Sequence, residues 1–367
     1  MRVLVVNFGS STLKYKCFEM TTEKVLLDGH VEFGRGGAAA AAKRMLAAIR
    51  RIHAVDSISA VGHRVVHGGP KYDTSAIITD DVIDDIDRYA LFAPLHNPPA
   101  ASGIRLMKKL LPQADHVAVF DTGFHRHMPP EAYLYGISYE LAGKYDIRRY
   151  GFHGTSHQYV AQRCAVLMGR PLRKLKLITC HVGSGTSIAA IRNGKSIDTS
   201  MGMSPLQGVI MGTRSGTLDP AIVELLMERE KLGYKAIINL LNKKSGLYGL
   251  SGLSGDLRVL EAAARSGHQR AQLALDVHVY QIKKFVGSYL LALNGADAIV
   301  FTAGVGENSP RVRAAVSAGL TFAGAKLDPK INESGAAERR ISADRSKIAL
   351  WVIPTNEELM IARETVR

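Results

Sequence analysis

The chain has 367 residues, with 47 Lys and Arg against 33 Asp and Glu for a formal charge of +14, 46% hydrophobic residues and three cysteines. That length fits two domains of roughly 150 to 200 residues, and no apolar run approaches the roughly eighteen residues of a membrane span. The basic residues come in scattered pairs such as Arg50-Arg51, Arg148-Arg149 and Lys243-Lys244, without a block of five or an aromatic ladder, which argues against nucleic acid and leaves an acidic surface or anionic small substrates.

The first element is an apolar strand at residues 3–6, and LVVNFGSSTLK (residues 4–14) ends it in Asn7, Gly9, three hydroxyl residues and Lys14. The run stops too early for a signal peptide, so a cytosolic protein is expected. Nor is it a P-loop, which needs G-x-x-x-x-G-K-[ST]; taken alone it reads as a strand and a Gly-Ser turn. Residues 38–51, AAAAAKRMLAAIRR, read as a basic surface helix, since alanine anchors poorly in a membrane. A strand at 61–66 carries HRVVHGG, in which His63 and His67 would stand about 13 Å apart at roughly 3.3 Å per residue, too far for one zinc ion.

APLHNP (residues 93–98) precedes a helix at 99–111, and a strand at 117–120 runs into FDTGFH. RRYGFHGTSH (residues 148–157) opens a helix at 156–168; His153 and His157 straddle its start with no third ligand in view. After a strand at 175–179, LITCHVGSGTSIAAI (residues 177–191) echoes the N-terminal hairpin: Gly9 matches Gly183, Ser10 matches Ser184 and Thr12 matches Thr186. Two copies of one strand-turn-strand unit predict two homologous α/β domains facing each other across a cleft, with the hairpins gripping a polyphosphate from both sides.

MGTRSGTLDP (residues 211–220) leads through Asp219 as N-cap and Pro220 into a helix at 220–230. A long helix follows at 269–294, stopped by Gly295, and the strand at 299–302 delivers a third glycine-rich turn, FTAGVGENS. The chain closes with a strand at 348–353 and a helix at 356–365. There Thr355 and Glu358 fit a capping box, which frees Glu357 to face the cleft. Cys17, Cys164 and Cys180 lack C-x-x-C spacing and read as reduced core residues.

Arg64 and Arg214 lie in glycine-bounded loops. A lone buried arginine is more simply a structural ion pair, but beside a duplicated phosphate-binding hairpin both are expected to face an anion. A metal, if present, should be Mg²⁺ held by few protein oxygens, with Asp121 and the Glu357-Glu358 pair as the available carboxylates.

Taken together, NFGSSTLK, GHRVVHGG, APLHNP, FDTGFH, RRYGFHGTSH, SMGMSPLQGVIMGTRSGTLDPA, SGLYGLSG, FTAGVGENS and IPTNEELMIARET run from residue 3 to residue 365. In that order they resemble the acetate kinases, short-chain acyl kinases of the acetate and sugar kinase, heat-shock protein 70 and actin superfamily. The resemblance implies an α/β fold of two duplicated actin-like, ribonuclease H-like domains facing each other across a nucleotide cleft. One would comprise residues 1–123 plus 359–367 with the acyl-site loops, the other residues 124–358 with the nucleotide site and a homodimer interface. It implies reversible transfer of the ATP γ-phosphoryl group to acetate by direct in-line displacement, with Mg²⁺, or Mn²⁺ as the alternative ion, and neither nucleic acid nor membrane as a partner.

Carried over position by position, the resemblance gives Arg64 and Arg214 to the acetate carboxylate and the transferring phosphoryl, and His153 to its equatorial oxygens. Val66, Leu95, Phe152 and Pro205 would form the methyl pocket, with His96 at the substrate. Asn7 and Glu357 would position Mg²⁺, and Lys14 would lie near the phosphates. His181, Val182, Gly183, Ser184 and Gly185 would meet the phosphates, Asp256, Leu257 and Arg258 the nucleoside, and Gly304, Val305, Gly306, Glu307 and Asn308 the adenosine. Asp121 would be essential, yet acetate is already ionised at neutral pH, so it is read as an orienter of Arg or Mg²⁺ water rather than a general base. Two departures stand out: Ser184 where the family has Asn, and a shortened segment between the first hairpin and Arg64. A propionate or other short-chain acyl kinase is the near alternative, and a non-catalytic actin-like nucleotide-binding protein the remote one.

Overall fold

The computed structural model describes residues 1–52 and 55–367. Strands β1 (Arg2–Phe8), β2 (Thr12–Glu19) and β3 (Lys24–Glu32) form an antiparallel meander. Beside β1 lies parallel β4 (Ile58–Val65), the short β5 (Ser75–Ile77) takes the far edge, and β6 (Asp115–Phe120) fills the gap, giving the order β3-β2-β1-β4-β6-β5. The second sheet repeats this plan with β7 (Lys176–Val182), β8 (Thr186–Arg192), β9 (Lys195–Thr199), β10 (Ala298–Thr302), β11 (Arg339–Arg340) and β12 (Ala349–Val352). Its order is β11-β12-β10-β7-β8-β9, and each strand keeps the parallel or antiparallel sense of its counterpart. The duplication expected from two short motifs thus extends through both sheets, and the fold is α/β with two similar domains.

The runs at residues 3–6 of β1 and 298–301 of β10 are apolar because helices cover both faces of each sheet. Alternation sends Leu4 and Val6 toward Met45 and Ile49 of the helix Gly37–Arg51 and Met107 of the helix Asn97–Leu110. It sends Val3 and Val5 the other way, toward Leu359 and Ile361 of the C-terminal helix Glu357–Thr365. That helix lies so close to β4 that a Cβ on Gly62 would stand 2.3 Å from Thr365 Oγ1. In the second sheet, Ile178, Cys180 and Val182 pack with Ile282 and Val286 of the helix Gln269–Leu293, while Leu177 packs with Val160 and Cys164 of the helix Gly154–Leu167. All three cysteines are buried and free.

Three local expectations are corrected. The hairpins are not matched at their threonines: Phe8 pairs with Leu13 and Gly9 N–H donates to Thr12 O, whereas Val182 pairs with Thr186 and Gly183 N–H donates to Gly185 O. The second turn is one residue shorter, so Thr186 occupies the buried place of Leu13, and Thr12 has Gly185 opposite it in the repeat. The cap of the last helix is Asn356, whose Oδ1 accepts the Leu359 N–H at 3.1 Å, not Thr355. Thr355 is engaged instead with Ser156 and Glu307, and Glu358 leans toward Lys16. Finally, the long helix ends at Leu293 because Asn294 already takes the left-handed conformation, with φ 51, ahead of Gly295.

Candidate active site

The ends of β1, β4 and β6 meet those of β7 and β10 across the gap between sheets, where open α/β folds place ligands. A cavity of about 260 Å³ lies there. The first hairpin gives it Asn7, Gly9, Thr12 and Lys14, and the stretch after β4 gives Arg64 and Val66. His96 and Ala100 come from the start of the helix Asn97–Leu110, and Asp121 from the end of β6. Phe152, His153, Pro205 and Arg214 close the other side.

Two guanidinium groups enter this cavity in different electrostatic states. Arg64 grips Asp121 with two nitrogens, at 3.1 Å from Nε and 2.8 Å from Nη2 to Oδ2, and Nη2 also stands 3.2 Å from Glu357 Oε2. Burial alone would lower the Arg64 pKa, but the Asp121 and Glu357 carboxylates reverse this and raise it. Asp121 is buried, which pushes its carboxyl above 3.8; Arg64 pulls it back and Glu357 pushes it further up. Arg214, by contrast, donates to Pro205 O at 2.8 Å and has no carboxylate partner among the described residues. Burial lowers its pKa with nothing to offset the shift, so its charge is left for an incoming anion.

The second hairpin forms the wall between this cavity and another of about 560 Å³. Gly183 and Ser184 line the larger space, together with Gly212, Thr213, Asp256, Leu257, Arg258, Gly304, Val305 and Asn308. Gly185 turns the other way: a Cβ there would lie 3.2 Å from His153 Nε2 and 3.4 Å from Arg214 Nη2. The loop 212–214 straddles the same boundary, with Gly212 N–H donating to Ser184 O. A molecule with a large planar end and an anionic tail can lie in the larger space and reach the smaller one past these backbones. Arg313, fully buried, braces the helix Ala303–Asn308 from behind by donating to the Gly306 and Glu307 carbonyls and to Asn332.

The chain belongs to the acetokinase family. A model of that family matches residues 33–363. An acetate kinase of Natranaerobius thermophilus is 50% identical over 391 aligned positions, covering 99% of this chain and 98% of its own. Among solved structures, Porphyromonas gingivalis acetate kinase superposes with a TM-score of 0.93 at 42% identity, covering 100% of this chain and 98% of its own. A propionate kinase from Francisella tularensis gives 0.95 at 38% identity, covering 100% and 99%. The alignment to the Natranaerobius enzyme is longer than this chain's 367 residues, so that relative has residues with no counterpart here.

Within this acetokinase-family site the structure sorts the expected residues. Asn7, Lys14, Arg64, Val66, His96, Asp121, Phe152, His153, Pro205 and Arg214 converge on one cavity, and Glu357 joins through Arg64. Leu95, expected in the methyl pocket, is 54% exposed and does not line the cavity; it sits in the turn before the helix, and Ala100 supplies the apolar wall from the helix itself. Of the nucleotide set, His181 stacks on His153 with ring centroids 4.0 Å apart, and Val182 is core. Gly306 packs on Phe301, and Glu307 accepts the Thr355 N–H rather than facing the larger cavity. Sequence reasoning missed Gly212 and Thr213 as lining although their motif was in view, and it missed Ala100 because alanine in a helix carries no signal.

Gly154 and His153 fix the turn between the two lobes of the site. Gly154 N–H donates to Asp121 O at 2.9 Å, and a Cβ there would fall 2.3 Å from that oxygen, so only glycine fits. His153 takes a left-handed φ of 56, a strained conformation that aims its ring into the cavity.

Buried neutral histidines give the protein a pH signature. Burial lowers His67 and His181 to about 3, and His125 and His278 to about 4, from 6.5. Between 6.5 and about 4 the unfolded chain therefore binds more protons than the folded one, so stability is full above pH 6.5 and falls as pH drops. Each such group contributes a slope of about 1.4 kcal/mol per pH unit. Asp121 and Asp198, raised above 3.8, act in the opposite sense but are fewer. Urea unfolding at pH 7 and pH 5 is expected to show a clear loss at pH 5; equal stabilities would contradict the neutral burial of these rings.

Proposed function

We propose that the chain is an acetate kinase, moving the γ-phosphoryl group of ATP to acetate to give acetyl phosphate and ADP. The observation that carries this is a small cavity holding one carboxylate-matched arginine, Arg64, and one unmatched arginine, Arg214, separated by a single glycine turn from a nucleotide-sized space. Phosphoryl transfer asks for positioning and charge neutralisation more than covalent chemistry. Arg64 and Arg214 hold the acetate carboxylate and the migrating group, Val66, Phe152 and Pro205 enclose the methyl, and His96 lies beside the carboxylate. His153 supports the equatorial oxygens, and Asp121 orients Arg64.

ATP lies along the larger cavity, with Gly183, Ser184 and Gly185 under its phosphates, Asp256 to Arg258 at the nucleoside and Gly304, Val305 and Asn308 at the base. The hard oxygens of Asn7 and Glu357 suit Mg²⁺, with Mn²⁺ as the alternative. Mg²⁺ commonly keeps several waters and binds through one or two protein oxygens plus substrate phosphates, which is the coordination two such ligands leave room for. Mg²⁺, when bound, neutralises phosphate charge; this chain's part is to orient Glu357 through Arg64. We assign residues 1–123 plus 359–367 and 124–358 to the two lobes, and a cytoplasmic homodimer as the working form. No helix among the described residues is long and apolar enough to cross a membrane.

Propionate is a second candidate substrate, because Leu95 stands outside the pocket it was expected to close, and one methylene discriminates by only about 1 to 3 kcal/mol. Trapping acyl phosphate with hydroxylamine on acetate, propionate and butyrate settles the order. The highest kcat/KM is expected with acetate; higher turnover of propionate favours the second reading, and no hydroxamate from any acid rejects both.

A further inference from the structure

Behind His153 runs a buried chain of polar groups that no role above uses. His153 Nδ1 lies 2.9 Å from Ser187 Oγ, the same oxygen lies 2.7 Å from His157 Nε2, and His157 Nδ1 lies 2.7 Å from Thr179 Oγ1. Thr179, Ser187 and His157 are fully buried, and Ser187 stands opposite His181 in the β7–β8 ladder, where the first hairpin pairs Asn7 with Lys14. His153 is the member that reaches the cavity, and its Nε2 has no protein partner among the described residues.

A chain of neutral imidazoles and hydroxyls can point its protons in either direction, and each direction fixes which nitrogen of His153 carries the hydrogen. Thr179 breaks the tie. Among the described residues its hydroxyl has His157 Nδ1 as its one side-chain partner, and a buried O–H left without an acceptor costs more than an oxygen lone pair left without a donor. Thr179 therefore donates to His157 Nδ1, His157 Nε2–H donates to Ser187 Oγ, and Ser187 O–H donates to His153 Nδ1. The remaining proton of His153 sits on Nε2, facing the cavity beside Gly185 and Arg214. The reverse direction would aim a lone pair at a phosphoryl oxygen.

We infer that Thr179, His157 and Ser187 are positioning residues that hold His153 as a neutral imidazole protonated on Nε2, so that it donates to the transferring phosphoryl group. A parallel chain stands behind its stacked neighbour: Thr355 Oγ1–H donates to Ser156 Oγ, 2.8 Å from His181 Nδ1, which leaves His181 Nε2 for the same anion. No proton is transferred along either chain; their task is to fix the tautomer before the anion arrives, as ligand histidines are fixed by partners behind them. The inference rests on the phosphoryl-transfer reading above.

Two-bond ¹H–¹⁵N correlation spectra of the full chain labelled on its 13 histidines report tautomers directly, with His153 assigned from its loss in His153→Gln. In the wild type His153 is expected as the pure Nε2–H form. Thr179→Val, which keeps shape and removes the donor, is expected to mix the tautomers and lower kcat at least about tenfold, with KM for acetate and ATP changed less than about threefold. Thr179→Ser restores the hydroxyl and should restore both readings; Ser187→Ala should repeat the loss. An unchanged Nε2–H signal in Thr179→Val, or a Thr179→Ser variant as slow as the valine, overturns the inference. If the tautomer follows the hydroxyl while the wild type makes no acyl phosphate, the proton chain stands and the substrate reading fails.

Discussion

Replacing Arg214 with alanine is expected to lower kcat by at least about a hundredfold, the scale for deleting one donor aimed at charge that develops in a transition state. The expectation comes from its environment. A half-buried guanidinium that donates to a carbonyl 2.8 Å away and has no carboxylate partner among the described residues, with its pKa lowered by burial, carries a desolvation cost that this one bond leaves largely in place. An anion offsets it, most fully when charge is spread over the migrating group. Removing such a charge should leave the fold as stable as before or more so. Arg214→Lys returns the charge without the fork and should recover only part of the rate. Steady-state kinetics with thermal melts check both halves; an alanine variant within a few-fold of wild-type kcat, or one that melts much earlier, would count against the assignment.

Arg64 should behave in the opposite way. Here the guanidinium is the counter-ion of a buried carboxylate, so Arg64→Ala leaves Asp121 unpaired, with Glu357 close by. Breaking a buried pair from one side costs about 3 to 5 kcal/mol. With Arg64 gone, the charge that does most to hold the Asp121 pKa down is lost, so its carboxyl rises further and takes up a proton as pH falls. The variant should therefore lose stability at pH 7, with a raised KM for acetate if folded enzyme is recovered. Adding Asp121→Asn removes the stranded charge and should return much of the stability without the activity. Urea unfolding of the two single variants and the double variant measures the coupling; additive single effects would mean that the Arg64–Asp121 contact carries no such energy.

The contrast between the two arginines was not legible in the sequence, where both sit in glycine-bounded loops with the same look. Strand positions were legible because runs such as residues 3–6 and 299–302 are buried on both faces and must be apolar. The repeat was legible for the same reason, since Asn7 and His181 end equivalent strands before equivalent glycines. Its register was not: the one-residue difference in the turns is settled by ladder pairing, which motif matching ignores. The Asn356 cap went to Thr355 because both residues are good caps and only geometry decides. Leu95 was placed in the pocket by its motif, but a residue in a turn takes its direction from the helix that follows. Buried hydroxyls were invisible altogether, since Thr179 and Ser187 in a strand look like ordinary strand residues until their histidine partners are seen. Arg313 likewise showed nothing of its task, because its acceptors are three backbone carbonyls and the amide oxygen of Asn332, none of which a sequence pattern marks.

The proposed reaction turns on one geometric point: Gly183 and Ser184 line the larger cavity while Gly185, the next residue of the same turn, faces His153 and Arg214 of the smaller one, so a single displacement can carry the phosphoryl group from nucleotide to acetate without a side chain taking it in between. ATP made chiral at the γ-phosphorus with oxygen isotopes tests this most directly. Direct in-line transfer predicts acetyl phosphate of inverted configuration at phosphorus. Retention would require two displacements through a phosphorylated side chain and would contradict the arrangement described for His153, Arg64 and Arg214.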